Sequence, residues 1–281
     1  MKFAFFGSPR FAHIILSGLI KAELKPDLVI TNPDRPSGRE KIITPSPVKE
    51  LALENKIEVC QPEDQEGLLA LKEKLSSYDF ALVAAYAHIL PKEVLDAPKL
   101  GTLGLHPSSL PKYRGASPIQ SALLAGDEKT AVSIYQMDEK LDHGPILHEI
   151  LVNIDMRDDY LNLEEKLAEK GTQALISILP SFMKGSLEVK EQEHDKASYT
   201  KKFETRDGEI DVVSADPIEM YRKIKALNPE PGAYTFTFPG REGKRVKLLD
   251  AKIEENQLIV TKIKPEGKSE IEVEQSFNLL S

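Results

Sequence analysis

The chain has one cysteine, Cys60. A single thiol excludes an internal disulfide and a cysteine-based metal site, and it suits a reducing compartment, so the cytoplasm is expected. Long apolar runs are lacking: nothing approaches the roughly 20 residues that span a bilayer. The opening Met1-Lys2-Phe3-Ala4-Phe5-Phe6-Gly7 is too short in its apolar part for a secretory leader, and it runs directly into a glycine turn. There is no His-Glu-x-x-His, no cysteine pair and no glycine-rich phosphate loop, so neither a metal nor a nucleotide cofactor is expected. Positive charge is also in short supply. Lys and Arg number 37 against 45 Asp and Glu, a net charge of −8, which argues against general nucleic-acid affinity. Basic residues are nevertheless gathered locally, with Arg35, Arg39, Lys41 and Lys49 in one segment and Arg241, Lys244, Arg245 and Lys247 in another. A nucleic-acid partner would have to be met there.

What is present is a succession of short apolar runs alternating with amphipathic stretches. Lys2–Phe6, Leu28–Thr31, Ile57–Cys60, Phe80–Ala85, Leu100–Leu105, Ala131–Met137 and Ile146–Ile154 read as strands. Helical spacing follows the first of them at Phe11, Ile14, Ile15 and Leu19. It recurs over Gln65–Leu75 and Leu161–Phe182, and Ser46-Pro47 and Ser117-Pro118 look like helix starts. Residues 32–47, with four prolines, read as a long surface loop. Continuous apolar strands joined by helices imply an α/β fold with a Rossmann-like, mostly parallel sheet and helices on both faces. Ligands then sit beyond the carboxyl ends of the strands, where Gly7-Ser8-Pro9, Tyr86-Ala87-His88 and His106-Pro107 all fall. The polar stretch after Lys184 reads as a linker. Beyond it lie a helix over Pro217–Leu227 and short β-rich pieces at Tyr234–Phe238, Val246–Ile253, Leu258–Ile263 and Ile271–Val273, which suggest a small barrel-like domain. The expected division is 1–183, a linker at 184–201, and 202–281.

Two polar clusters carry the chemistry. His106-Pro107-Ser108-Ser109-Leu110-Pro111-Lys112-Tyr113-Arg114-Gly115 closes an apolar strand, and Asp138-Glu139-Lys140-Leu141-Asp142-His143-Gly144-Pro145 lies further on. A histidine met by a distant aspartate is a general base suited to neutral pH. A histidine at a strand end can also be held by backbone alone, and an aspartate two residues before a glycine can be a turn residue. Spacing does not show that His106 and Asp142 meet.

The first cluster, continued by Ala116-Ser117-Pro118-Ile119-Gln120, resembles the signature of the folate-dependent formyltransferases, and Gln136 to Pro145 resembles their second motif. Pro33 to Arg39 with Pro45 to Lys49, Ala226 to Gly232, and Pro265 to Lys268 are similar to motifs of the members that act on initiator tRNA. The resemblance implies transfer of a formyl group from 10-formyltetrahydrofolate to the amine of methionine esterified to initiator tRNA, by a monomer with a C-terminal OB-like, tRNA-binding domain. It implies His106 and Asp142 as catalytic residues. Folate walls are implied at Tyr86, Ala87, His88, Ile89, Ser109, Leu110, Pro111, Asp138 and Leu141, and tRNA contacts at Arg35, Arg39, Lys41, Lys112 and Arg114. One position departs. The family carries an asparagine two residues before the histidine, and its amide donates to the formyl oxygen; here the residue is Gly104. Losing such a donor costs roughly 3 kcal/mol, about 100- to 1,000-fold in rate. Three outcomes follow: a slow or dead enzyme, a substitute donor (protonated His106, His143, or a water in the vacated space), or an engineered or diverged variant; a non-catalytic folate- or tRNA-binding homologue is a separate alternative. A sugar-nucleotide N-formyltransferase is a further alternative that shares the fold and the donor.

Overall fold

The computed structural model describes residues 1–37, 41–255 and 257–278. Its central sheet has seven strands, in the spatial order Ile146–Asn153, Lys129–Gln136, Thr102–His106, Phe80–Ala84, Phe3–Phe6, Leu28–Ile30, Glu58–Cys60. The last five run parallel to one another, and Lys129–Gln136 is antiparallel to Thr102–His106. The apolar runs are continuous because both sheet faces are covered: Phe3–Phe6, Phe80–Ala84 and Thr102–His106 are buried at every position. On one face Ala4, Phe6, Ala81 and Val83 pack with Leu68, Leu71, Leu75 and Val94 from the intervening helices. In the alternate register, Phe3 stacks on Phe80 at 5.0 Å, and Phe182 meets Phe80 edge-on at 5.6 Å. No helix among the described residues is long and apolar enough to cross a membrane.

The chain divides into two compact units. One comprises residues 1–114, 131–152 and 164–198; the other comprises 115–130, 153–163 and 199–281. The stretch whose polarity suggests a linker therefore lies in the first unit as far as residue 198, and Gln192 within it is only 5% exposed. The second unit holds a four-stranded antiparallel sheet, Tyr234–Thr235, Val246–Glu254, Gln257–Pro265 and Ile271–Asn278, in chain order. Met220, Tyr221 and Ile224 of the helix Pro217–Leu227 pack against Val246, Leu248, Val260 and Ile263 of that sheet. Asp216 caps the helix by accepting from the amides of Ile218 and Glu219.

Two local expectations change. Residues 32–47 are not one open loop: Arg35–Ser37 pairs antiparallel with Ile42–Thr44, a short hairpin that leaves Ile42 and Ile43 61% and 68% exposed. The β-branched run Ile42-Ile43-Thr44 pairs this way because the ladder satisfies backbone groups. The stretch Gln65–Leu75 is two short helices, Gln65–Leu69 and Leu71–Leu75, meeting at Ala70. The helix start at Ser46 holds, with its Oγ accepting from the amide of Lys49.

Candidate active site

His106 ends the strand Thr102–His106 at its carboxyl end and is 7% exposed. Its Nε2 lies 2.8 Å from the carbonyl oxygen of Tyr113. A carbonyl can only accept, so Nε2 carries the proton and Nδ1 is the basic nitrogen of the neutral ring. Nδ1 faces Oδ2 of Asp142 at 3.6 Å. That separation is within ion-pair range and longer than a hydrogen bond. A proton taken by Nδ1 would stand between the imidazole and a carboxylate. The pair can therefore accept a proton and stabilise the resulting imidazolium. Ala85, Tyr113 and Asp142, each in a loop flanking a strand end, have φ of 49°, 61° and 47°. Non-glycine residues held in this left-handed region cost of order 1–3 kcal/mol and gather at functional sites.

The space beside Gly104, expected to be vacant, is full. A Cβ at 104 would lie 2.4 Å from Cε1 of Tyr135. The Tyr135 hydroxyl donates to Oδ1 of Asp142 at 2.7 Å. Burial, and then the charge of Asp142, holds this phenol well above the usual tyrosine range, so it stays a neutral donor. His143 is engaged elsewhere: its Nδ1 pairs with Oδ2 of Asp138 at 2.7 Å, and its ring stacks on His194 at 4.0 Å.

The Asp142 loop is closed at its neck. Gly144 approaches the carbonyl of Gln136 so closely that a Cβ would fall 1.8 Å from that oxygen. Gln192 donates through Nε2 to the carbonyls of Asp142 (3.0 Å) and Gly144 (2.7 Å), and its Oε1 accepts from Nη2 of Arg114 at 2.6 Å. Arg114 Nη2 also donates to Nδ1 of His194 at 2.9 Å. Arg114, expected as a tRNA contact, is 1% exposed and braces Gln192 and His194 from within.

Of the expected folate residues, Tyr86 packs edge-on to Phe6 at 5.5 Å and lies 5.4 Å from the ring of His88. Oη of Tyr86 and Nε2 of His88 are buried with no hydrogen-bond partner among the described residues. Burial pushes the Tyr86 phenol up to about 12. Two unsatisfied buried polar atoms on neighbouring rings suit a polar ligand that would complete them. Ala87, Ile89 and Leu141 are exposed. Ser109 donates to Glu149 at 2.6 Å, Leu110 packs on Tyr135 and Ile146, and the carbonyl of Pro111 accepts from the amide of Ser198. Among the expected tRNA residues, Arg35 and Lys41 are exposed about the hairpin, and Lys112 is exposed with its Nζ 4.5 Å from the centre of the Tyr113 ring. Arg39 lies outside the described residues. Sequence reasoning missed Tyr135, which looks like one more core aromatic in an apolar strand. It also missed Gln192, which sits in a stretch polar enough to pass for linker.

Residues 1–179 match the formyl transferase family, and residues 202–259 match the formyl transferase C-terminal domain. The chain belongs to the formyl transferase family. Methionyl-tRNA formyltransferase of Sulfurihydrogenibium sp. (strain YO3AOP1) is 42% identical over 261 residues, 92% of this chain and 82% of the relative. The enzyme of the same name from Bacillus subtilis (strain 168) is 39% identical over 240 residues, 83% of this chain and 74% of its own. Among solved structures, WlaRD, a sugar 3N-formyl transferase crystallised with dTDP and 5-N-formyl-THF, superimposes with a TM-score of 0.63 at 17% identity, covering 96% of this chain and 99% of its own. HypX from Aquifex aeolicus in complex with tetrahydrofolic acid gives 0.66 at 17%, covering 98% of this chain and 46% of its own. At that identity the two structures speak for the fold of this formyl transferase.

Proposed function

We propose that this formyl transferase moves the formyl group of 10-formyltetrahydrofolate to the α-amine of methionine carried by initiator tRNA, acting as a cytoplasmic monomer. The observation that carries the reading is identity of about 40% over most of the chain to relatives named for that reaction. The site chemistry agrees. The amine nitrogen bonds to the formyl carbon and gives up a proton to Nδ1 of His106, the nitrogen left basic by the Tyr113 carbonyl. Asp142 steadies the imidazolium. The bond between formyl carbon and donor nitrogen then breaks, and the imidazolium returns the proton to that nitrogen. Tyr86 and His88, with buried polar atoms awaiting partners, would line the folate side. The exposed hairpin with Arg35 and Lys41, and residues 202–281 with their antiparallel sheet, would meet the tRNA.

The test is formylation of methionyl initiator tRNA with 10-formyltetrahydrofolate, run beside an amino-sugar nucleotide. Formylmethionyl-tRNA is the expected product, and His106→Ala should lower kcat by about 10²- to 10⁴-fold. Turnover of the sugar nucleotide alone would overturn the acceptor assignment. An unchanged rate in His106→Ala would overturn the mechanism.

A further inference from the structure

Gly104 and Tyr135 face each other across the antiparallel pair, two residues along from the register partners His106 and Ser133. A side chain at 104 would begin 2.4 Å from Cε1, 2.6 Å from Cζ and 2.8 Å from Oη of Tyr135. The phenol thus holds the volume that a side chain at 104 would use. Tyr135 is 3% exposed and packs with Leu110 and Ile146. Phenylalanine would fill that apolar space equally well, so packing does not account for the hydroxyl. The hydroxyl goes to Oδ1 of Asp142, while Oδ2 of the same carboxylate faces His106.

We propose that Tyr135 is a positioning residue of the site: from the space that Gly104 leaves open, its hydroxyl fixes the Asp142 carboxylate so that Oδ2 faces the basic nitrogen of His106. The inference rests on the formyl-transfer reading and names the residue that tunes it. A carboxylate turns readily about its last bond, and a donor on one oxygen fixes where the other points. The glycine and the tyrosine are therefore one device. Without a side chain at 104 the ring fits, and with the ring in place a polar donor stands within a side chain's reach of position 104.

Tyr135→Phe keeps the ring and removes the oxygen. The expected result is a kcat lowered about tenfold to a hundredfold, with KM for both substrates changed less than about twofold. Wild-type kcat in Tyr135→Phe would overturn the inference while leaving the function standing. If the wild type itself makes no formylmethionyl-tRNA, the function reading fails first. A crystal structure of Tyr135→Phe then decides: a carboxylate turned away from His106 upholds the role of Tyr135, and an unmoved one ends it.

Discussion

Two buried phenols set the contrast at the scale of single residues. Tyr135 has a partner for its hydroxyl, and Tyr86 has none among the described residues. An unsatisfied buried donor costs about 1–3 kcal/mol, so Tyr86→Phe should leave the free protein as stable as before or stabilise it by up to about that much in urea unfolding, while weakening folate binding. The pH dependence has a definite sign. Burial raises the Tyr86 phenol to about 12, whereas an unfolded tyrosine ionises near about 10. Its contribution to stability is complete below about pH 10 and is lost as pH rises toward 12, because the unfolded chain releases the proton first. Between those values Tyr86→Phe should lose less stability than wild type in a denaturant series; an identical decline would mean this phenol is not buried. Position 104 carries a related lesson. From the sequence, Gly104→Asn looks like the restoration of a missing donor. With Tyr135 in place it would drive a Cβ into a ring carbon, an overpacking that costs about 1–3 kcal/mol.

At the scale of elements, the strands were legible because parallel strands covered on both faces carry unbroken apolar runs. The site loops were legible only as clusters of polar residues. What holds the 137–145 loop was not visible, since Gln192 lies some fifty residues from Asp142 and its surroundings are polar. Gln192→Leu would keep the volume and remove the donor to two carbonyls and an acceptor of Arg114. Stability should fall by about 1–3 kcal/mol in urea unfolding, and amide exchange over residues 137–145 should quicken. Exchange as slow as wild type would show that the loop is held by other means. The hairpin within residues 32–47 was missed for a different reason. Four prolines read as a breaker signal, yet Pro36 sits inside a two-stranded pair, where an edge position tolerates its missing donor.

At the scale of the molecule, a net charge of −8 must be reconciled with a polyanionic acceptor. Attachment then depends on local basic groups, each phosphate contact releasing counterions. KM for tRNA should rise steeply as salt is added, by roughly 0.7 to 0.9 log units per log unit of salt for each phosphate neutralised, while KM for the formyl donor changes little. A tRNA KM that stays flat across that range would show that charge does not hold the tRNA.

Sequence alone was enough for the α/β class, the positions of most strands along the chain, the family resemblance and the pairing of His106 with Asp142 as a hypothesis. These follow from periodicity and from motifs contiguous in the chain. Three things waited on tertiary structure: that Nδ1 is the basic nitrogen of His106, that Arg114 points inward, and that a tyrosine fills the gap at Gly104. Each depends on which atoms from distant segments arrive within about 3 Å of one another. Strand register and loop closure decide that, and no local pattern records it.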